Sequence, residues 1–316
     1  MGCPNQCSFC NQRTISSTAA APSAEDVRGI LEESCPRLAD PHNTEIAFFG
    51  GSFTAIDRDY MVQLLTAAHE FIQRYDLMGI RISTRPDCID EDILAILKRY
   101  GVTSIELGAQ SMSAEVLAAN RRGHSPDDVR NASAMIKAHG FELGLQMMTG
   151  LYKSTMQDEI NTMDEIISIK PATVRIYPVA VLEHTELAEL YRSGKYTLYP
   201  FDETAELCAD MLEKFEGAGI RVIKLGLHAS ESVEQGLVAG YYHPAFRELC
   251  EGIIYRKRIE RALSDDVRDY VVRVNPRCIS QAMGQKKCNI KYFAEKGINI
   301  KIIPDENITK QFDIQI

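Results

Sequence analysis

The sequence predicts an α/β chain organised on a parallel sheet, and three observations carry that reading. Six short apolar segments alternate with helices of amphipathic spacing. The composition, 45% hydrophobic and 25% charged over 316 residues, is that of a globular protein large enough for one main core and a smaller appended unit. Near Gly236 the alternation stops. Repeated strand–helix–strand units imply right-handed crossovers, so the sheet is either doubly wound or curled into a barrel. A first unit over residues 1–235 and a small α+β annex over 236–316 are expected.

The elements follow in order. Residues 12–23 read as loop, and Ser23 is a good N-cap for a helix over about 24–38. Glu45-Ile46-Ala47-Phe48-Phe49 reads as a buried strand that stops at Gly50-Gly51. Asp57 opens a helix in which Met61, Leu64, Leu65, Ala68, Phe71 and Ile72 recur at helical spacing. Further strands are expected at 79–83, 105–108, 141–148, 173–179 and 221–225. Helices are expected at 90–100, 114–119, 126–138, 157–169 and 202–216. The annex reads as a basic helix over 245–263, a strand at 268–274, one helix over 279–295, a strand at 298–303 and a third strand within 309–316.

No apolar run approaches the roughly 20 residues of a membrane span, and the chain does not open like a secretory leader. Nine cysteines, an odd number in a long chain, read as ligands or buried apolar residues rather than disulfides. A cytoplasmic location is expected, with no membrane partner. The net charge of −9 is uneven: residues 245–301 carry thirteen Lys/Arg against seven Asp/Glu. That excess fits either a nucleic-acid face or an ordinary solvated helix surface.

The chemistry concentrates at the start. Cys3, Cys7 and Cys10 stand in a C-x3-C-x2-C pattern within a polar, proline-containing loop. Thiolates suit iron–sulfur clusters, zinc and copper(I). On a [4Fe–4S] cube, three cysteines leave one iron without a protein ligand. In parallel sheets, ligands bind at the carboxyl ends of the strands. Those ends carry Gly50-Gly51, Ser83, Gln110, Arg122 and Gln146. Buried Arg and Gln are costly there unless something polar satisfies them.

These residues resemble a known family. The cysteine loop, Gly50-Gly51-Ser52-Phe53, Thr84-Arg85-Pro86-Asp87, Gly108-Ala109-Gln110-Ser111, Arg122-Gly123-His124, Tyr177-Pro178 and the stretch Tyr191 to Pro200 are similar in order to a radical S-adenosylmethionine (SAM) enzyme. Within that superfamily they resemble the radical SAM domain of the Elongator catalytic subunit, and nothing here resembles that subunit's acetyltransferase domain. The resemblance implies a partial TIM barrel of the (β/α)6 type with a C-terminal α+β annex. It also implies a first strand before the cysteine loop. Only Met1 and Gly2 precede Cys3, so that strand is expected to be missing here and supplied by an upstream start.

The implied cofactors are a [4Fe–4S] cluster on Cys3, Cys7 and Cys10, and SAM on its open iron. Phe9 would lie against adenine, and Gly50 and Gly51 would present backbone to the SAM amino group. By similarity to oxygen-independent coproporphyrinogen oxidase, Ser83, Gln110, Arg122 and Gln146 fall at SAM-contacting positions. Two departures stand out: the relatives carry glutamate where this chain has Ser83, and that oxidase carries aspartate where it has Gln146. The implied partners are a reductant such as flavodoxin or ferredoxin, and tRNA through the basic annex. The alternative function is a non-catalytic cluster- or haem-handling protein of the same fold.

Overall fold

The computed structural model describes residues 3, 6–11, 21–227, 231–264 and 267–316. Most of the loop expected before Ser23, and the lone His228, lie outside those residues. The first helix, α1 (Ala24–Ser34), is shorter than its pattern suggested. Pro36 turns its last residues, Cys35–Arg37, into a 3-10 turn. Its start is as read: Ser23 and Asp26 form a reciprocal capping box.

Strand β1 (Glu45–Phe48) leads to α2 (Arg58–Tyr75), capped by Asp57. Then come β2 (Gly79–Thr84), α3 (Glu91–Arg99), β3 (Val102–Gln110), α4 (Ala114–Ala119) and α5 (Pro126–Ala138). Strand β4 (Glu142–Thr149), α6 (Met156–Ile169) and β5 (Thr173–Pro178) continue the alternation. A short strand, β6 (Ala180–Leu182), and helix α7 (Glu186–Arg192) precede α8 (Phe201–Gly217) and β7 (Arg221–Leu225).

Strands β1-β2-β3-β4-β5-β7 form one all-parallel sheet in sequence order, curled into a half-barrel. This is the predicted architecture. The two faces of the sheet differ. Ile80, Ile82, Ile105, Leu107, Leu145, Met147, Val174 and Ile176 belong to the main apolar core with the helices. Arg81, Ser83, Glu106, Gln146 and Arg175 line the other, inner face, as the two-residue period of a strand requires.

Beyond β7, α9 (Glu231–Gly236) runs into β8 (Leu237–Gly240), which pairs antiparallel with β6. This two-stranded ribbon carries no long alternating pattern and was not expected. Helix α10 (Phe246–Ala262) packs on α8 and shares its core, with Tyr255, Phe246 and Cys250 buried. Strand β9 (Asp269–Val274) pairs in parallel with β10 (Asn299–Pro304) and antiparallel with the two-residue β11 (Ile314–Gln315).

The single helix expected over 279–295 is two helices, α11 (Ile279–Met283) and α12 (Cys288–Glu295). Gly284 at φ 72°, then Lys286 and Lys287 at φ 52° and 59°, break it.

Most of the basic α10 is neutralised within the molecule. Lys257 pairs with Asp210 at 2.6 Å and Glu206 at 2.7 Å, Arg258 with Glu213 at 2.8 Å, and Arg256 with Glu206. The acids all come from α8. Arg268, Arg273, Arg277, Lys286, Lys287, Lys291 and Lys301 are exposed and have no ion-pair partner among the described residues.

Candidate functional site

The cysteine loop is fastened from three sides. A turn joins Cys7 and Cys10, the Cys10 N–H donating to the Cys7 carbonyl at 3.2 Å. The Ser8 N–H donates to the Asn120 carbonyl at 3.1 Å, and the Ser8 hydroxyl to Asn120 Oδ1 at 2.8 Å. The Ser8 carbonyl accepts from the Leu187 N–H at 2.8 Å, at the start of α7. Phe9 is buried in an apolar cluster with Cys7, Val116, Leu151, Leu187 and Tyr196. Loop anchorage therefore comes from α4 and α7.

Arg122 joins this loop to the sheet. Its Nη2 donates to the Gly108 carbonyl at 2.5 Å and its Nη1 to Cys7 Sγ at 3.3 Å. A Cβ at Gly108 would stand 2.9 Å from Gln110 Nε2 and 3.2 Å from Arg122 Nη2, so the glycine is what admits both side chains. Gln110 sits at a bulge in β3 with φ 66°, a backbone region that is costly for a non-glycine residue. Its Oε1 is buried without a hydrogen-bond partner among the described residues.

One layer below, Ser83 and Gln146 meet. Gln146 Nε2 donates to Ser83 Oγ at 3.1 Å and to Glu106 Oε2 at 2.9 Å. Glu106, only 1% exposed, also accepts from Arg175 Nε at 2.6 Å and Nη2 at 2.9 Å, and from Arg81 at 3.4 Å. Gly144 makes room for it, since a Cβ there would lie 2.8 Å from Glu106 Cγ. Arg175 in turn lies under the half-exposed Phe49 ring, 4.9 Å from its centroid. Gly50 and Gly51 follow at φ 111° and 105°, conformations that glycine enters readily.

The predicted residues thus fall into two groups. Cys7, Gln110 and Arg122 are one, Ser83 and Gln146 the other, and the register pair Gly108–Gln146 places them on adjacent strands. Phe9 packs away into its own cluster. Asn120 and Glu106 escaped sequence reasoning. Asn120 follows a short helix, and Glu106 lies within a strand otherwise read as apolar. A lone charge inside an apolar strand was the available signal for Glu106.

Electrostatics differ among the thiols. Burial, then the neighbouring Cys7 and Cys3, push the Cys10 thiol up to about 12. Cys3 is exposed as a residue. Partial burial of its thiol and then Cys7 raise it, while Arg85 and Arg122 oppose them. Among the described residues, no three His, Cys, Asp or Glu close on one point as ligands of a single ion do. A cluster asks less, because each thiolate binds a different iron. Three cysteines in one short loop, the Arg122 guanidinium on Cys7 Sγ and the buried Gln110 Oε1, without a partner among the described residues, fit a cluster with a polar ligand beside it.

A half-barrel with a cysteine loop beside the end of β3 is the arrangement of a cofactor-dependent α/β enzyme. The chain belongs to the radical SAM superfamily, matching that family over residues 1–166 and the radical SAM C-terminal domain over residues 171–256. As a member, its cofactors are a [4Fe–4S] cluster and SAM.

The tRNA uridine(34) acetyltransferase of Methanocaldococcus jannaschii is 29% identical over 55% of this chain and 36% of its own length. Elongator complex protein 3 of Saccharomyces cerevisiae is 26% identical over 60% of this chain and 37% of its own. The chain therefore spans little more than a third of these relatives. Among solved structures, Methanocaldococcus infernus Elp3 lacking residues 1–46 superposes with a TM-score of 0.64 at 23% identity, over 78% of this chain and 61% of its own. Coproporphyrinogen III oxidase of Escherichia coli superposes with a TM-score of 0.52 at 14% identity, over 81% and 72%. No helix among the described residues is long and apolar enough to cross a membrane.

Proposed function

We propose that this enzyme reductively cleaves SAM at a [4Fe–4S] cluster held by Cys3, Cys7 and Cys10, and acts on tRNA. The observation that carries the reading is the position of Arg122, between Cys7 Sγ and the end of β3, beside the unsatisfied oxygen of Gln110. When bound, these cofactors supply a carbon-centred radical that removes a hydrogen atom from the substrate.

The chain's own residues bind and orient. Arg122 suits the SAM carboxylate, because a planar guanidinium matches a carboxylate in two hydrogen bonds. Gln110 offers an amide donor and acceptor, and Gly50 and Gly51 offer backbone without side chains. Phe9 firms the loop by packing in the apolar cluster with Val116, Leu151 and Leu187. Ser83 and Gln146, tied to Glu106, form a polar floor on the inner face of the sheet.

The tRNA reading rests on the relatives' names and on the exposed, unpaired cations of the annex. In this reading residues 1–235 carry the chemistry and 236–316 help to dock the substrate. Electrons come from a small one-electron carrier of the flavodoxin or ferredoxin type.

The test is anaerobic reconstitution, then incubation with SAM and dithionite. 5′-Deoxyadenosine is expected. A full cluster without that product would indicate the cluster- or haem-handling alternative. Nucleoside mass spectrometry of tRNA from cells lacking the protein tests the substrate: an unchanged nucleoside profile would remove tRNA from the proposal.

A further inference from the structure

Strand β9, helices α11 and α12 and strand β10 make a strand–helix–helix–strand unit in which β9 and β10 lie side by side and parallel. The two helices meet at Gly284-Gln285-Lys286-Lys287. Only glycine fits the first place: at φ 72°, a Cβ on Gly284 would stand 2.5 Å from Cys288 Sγ and 3.1 Å from Asn289 Cγ. Lys286 and Lys287 both hold left-handed backbone, at φ 52° and 59°, which is costly for a residue with a Cβ and is met at ligand clamps. Asn289, 2% exposed, pins the turn from beneath. Its amide donates to the Gly252 carbonyl of α10 at 2.8 Å and to the Ala282 carbonyl of α11 at 3.0 Å.

The charge around this loop has one sign. Residues 270–294 hold Arg273, Arg277, Lys286, Lys287 and Lys291 and no Asp or Glu, and all five cations are exposed. Lys287, Lys291 and Ala294 recur at helical spacing, so this face of α12 leads from the loop toward a groove. The groove holds about 330 Å³ between α12 and the sheet, and Ile290, Ala294, Ile298 and Ile300 line it together with Lys301 and Asp269. The Asp269 carboxylate is taken up by the Asn299 amide at 2.9 Å. Strand β10 is the edge of its sheet, so its outer N–H and C=O groups have no strand partner among the described residues. An unpaired nucleic-acid strand suits all three features: phosphates meet the cations, base faces meet the apolar wall and base edges meet the open strand. A duplex keeps its base faces stacked inside. A G-x-x-G loop between two helices is also how KH modules clamp the backbone of four nucleotides. Here Lys287 stands, in left-handed backbone, where such a loop has its second glycine.

We propose that the 284–287 loop and the groove between α12 and β10 bind a single-stranded RNA segment, with its backbone on the loop and its bases in the groove. The inference rests on the reading that this enzyme acts on tRNA, and narrows it: the annex takes an unpaired stretch of the substrate rather than a stem.

The test is fluorescence anisotropy of the full chain with a labelled single-stranded RNA of about eight nucleotides, twice what such a clamp holds, against the same strand annealed to its complement at the same salt concentration. The single strand is expected to bind about tenfold more tightly. A duplex that binds as tightly or more tightly overturns the inference. The double substitution Lys286→Asp and Lys287→Asp keeps residues that tolerate left-handed backbone, and should weaken single-strand binding about tenfold. Arg268→Glu with Arg273→Glu reverses as many charges elsewhere on the annex, Arg273 lying on the face of β9 away from the core, and should cost much less. Equal losses in the two double variants would show a diffuse charge effect and overturn the inference as well. If the loop variant does not melt like the wild type, the comparison of strand with duplex decides alone. The tRNA reading fails separately. Single-strand binding with an unchanged nucleoside profile removes tRNA and keeps RNA binding by the loop, whereas a changed profile without single-strand binding does the reverse.

Discussion

Asn120 grips Ser8 twice, through its backbone carbonyl at 3.1 Å and its side-chain oxygen at 2.8 Å. Its amide nitrogen donates onward to the carbonyls of Val116 and Tyr152, at 2.8 and 2.9 Å. The residue is fully buried, so every one of these bonds is made away from water. Asn120→Ala leaves the Ser8 hydroxyl without its acceptor and should destabilise the fold by about 1–3 kcal/mol. It should also lower the iron bound after anaerobic reconstitution. Thermal melts and an iron assay read the two effects separately, and an unchanged iron-to-protein ratio would show that the grip is dispensable for the cluster.

Replacing Cys3, Cys7 or Cys10 with Ala should each abolish the visible absorbance of the reconstituted protein. Cys208→Ala should leave it intact, because Cys208 is buried in the main core with α8. Stripping the metal with a chelator should leave the far-ultraviolet circular dichroism unchanged. The main core closes without the cysteine loop, which belongs to a separate apolar cluster.

Glu106 is the hub of the inner face. Glu106→Gln leaves the Arg175 guanidinium, 20% exposed, without its carboxylate, whereas Arg81 keeps Glu45 at 2.7 Å and Glu142 at 2.8 Å. Breaking a buried pair on one side costs on the order of 3–5 kcal/mol. A urea midpoint shifted by less than a third of that would show that water replaces the carboxylate.

Two groups give the stability a pH dependence of opposite signs. Burial, then Arg122, hold His124 down at about 4 against an ordinary 6.5. Between those values the unfolded chain binds the proton and the folded one does not, so this contribution falls as pH drops from 6.5 to 4. Burial holds the Glu159 carboxyl up at about 7 against 4.5. Its contribution is present below 4.5 and is lost as pH rises through 7. Glu159→Gln should therefore stabilise the protein by about 1–3 kcal/mol at pH 8. The gain should shrink toward zero by pH 5, as denaturant titrations at the two pH values will show.

If tRNA docks on the annex, the cations that matter are the unpaired ones. Lys286→Ala, Lys287→Ala and Lys291→Ala should each weaken RNA binding and lower the salt slope by roughly one for each phosphate no longer neutralised. Lys257→Ala should instead cost stability, because its charge is taken up by Glu206 and Asp210. Filter binding across a salt series distinguishes the two classes.

Much of the fold was legible because its elements announce themselves locally. Each parallel strand was a short apolar run beside an amphipathic helix, and the helix starts at Ser23 and Asp57 were read from the chain. The β6–β8 ribbon was not legible, since three or four residues on each side carry no period and their partners lie far apart in the chain. The annex helix misled for a related reason. Its apolar spacing ran on through Gly284, where a positive φ breaks it.

The sequence alone determined the alternating α/β order, the C-x3-C-x2-C spacing of Cys3, Cys7 and Cys10, and the short list of polar residues at strand ends. These follow from residue order, local propensity and side-chain period, none of which needs a third dimension. Only the tertiary structure decided that Asn120 anchors the loop and that Glu106 gathers Gln146 and Arg175. It alone showed that α8 takes up most of the charge of the basic helix. Those outcomes depend on which buried polar groups find partners across the fold, and a buried charge or amide takes whatever partner packing brings within hydrogen-bond reach.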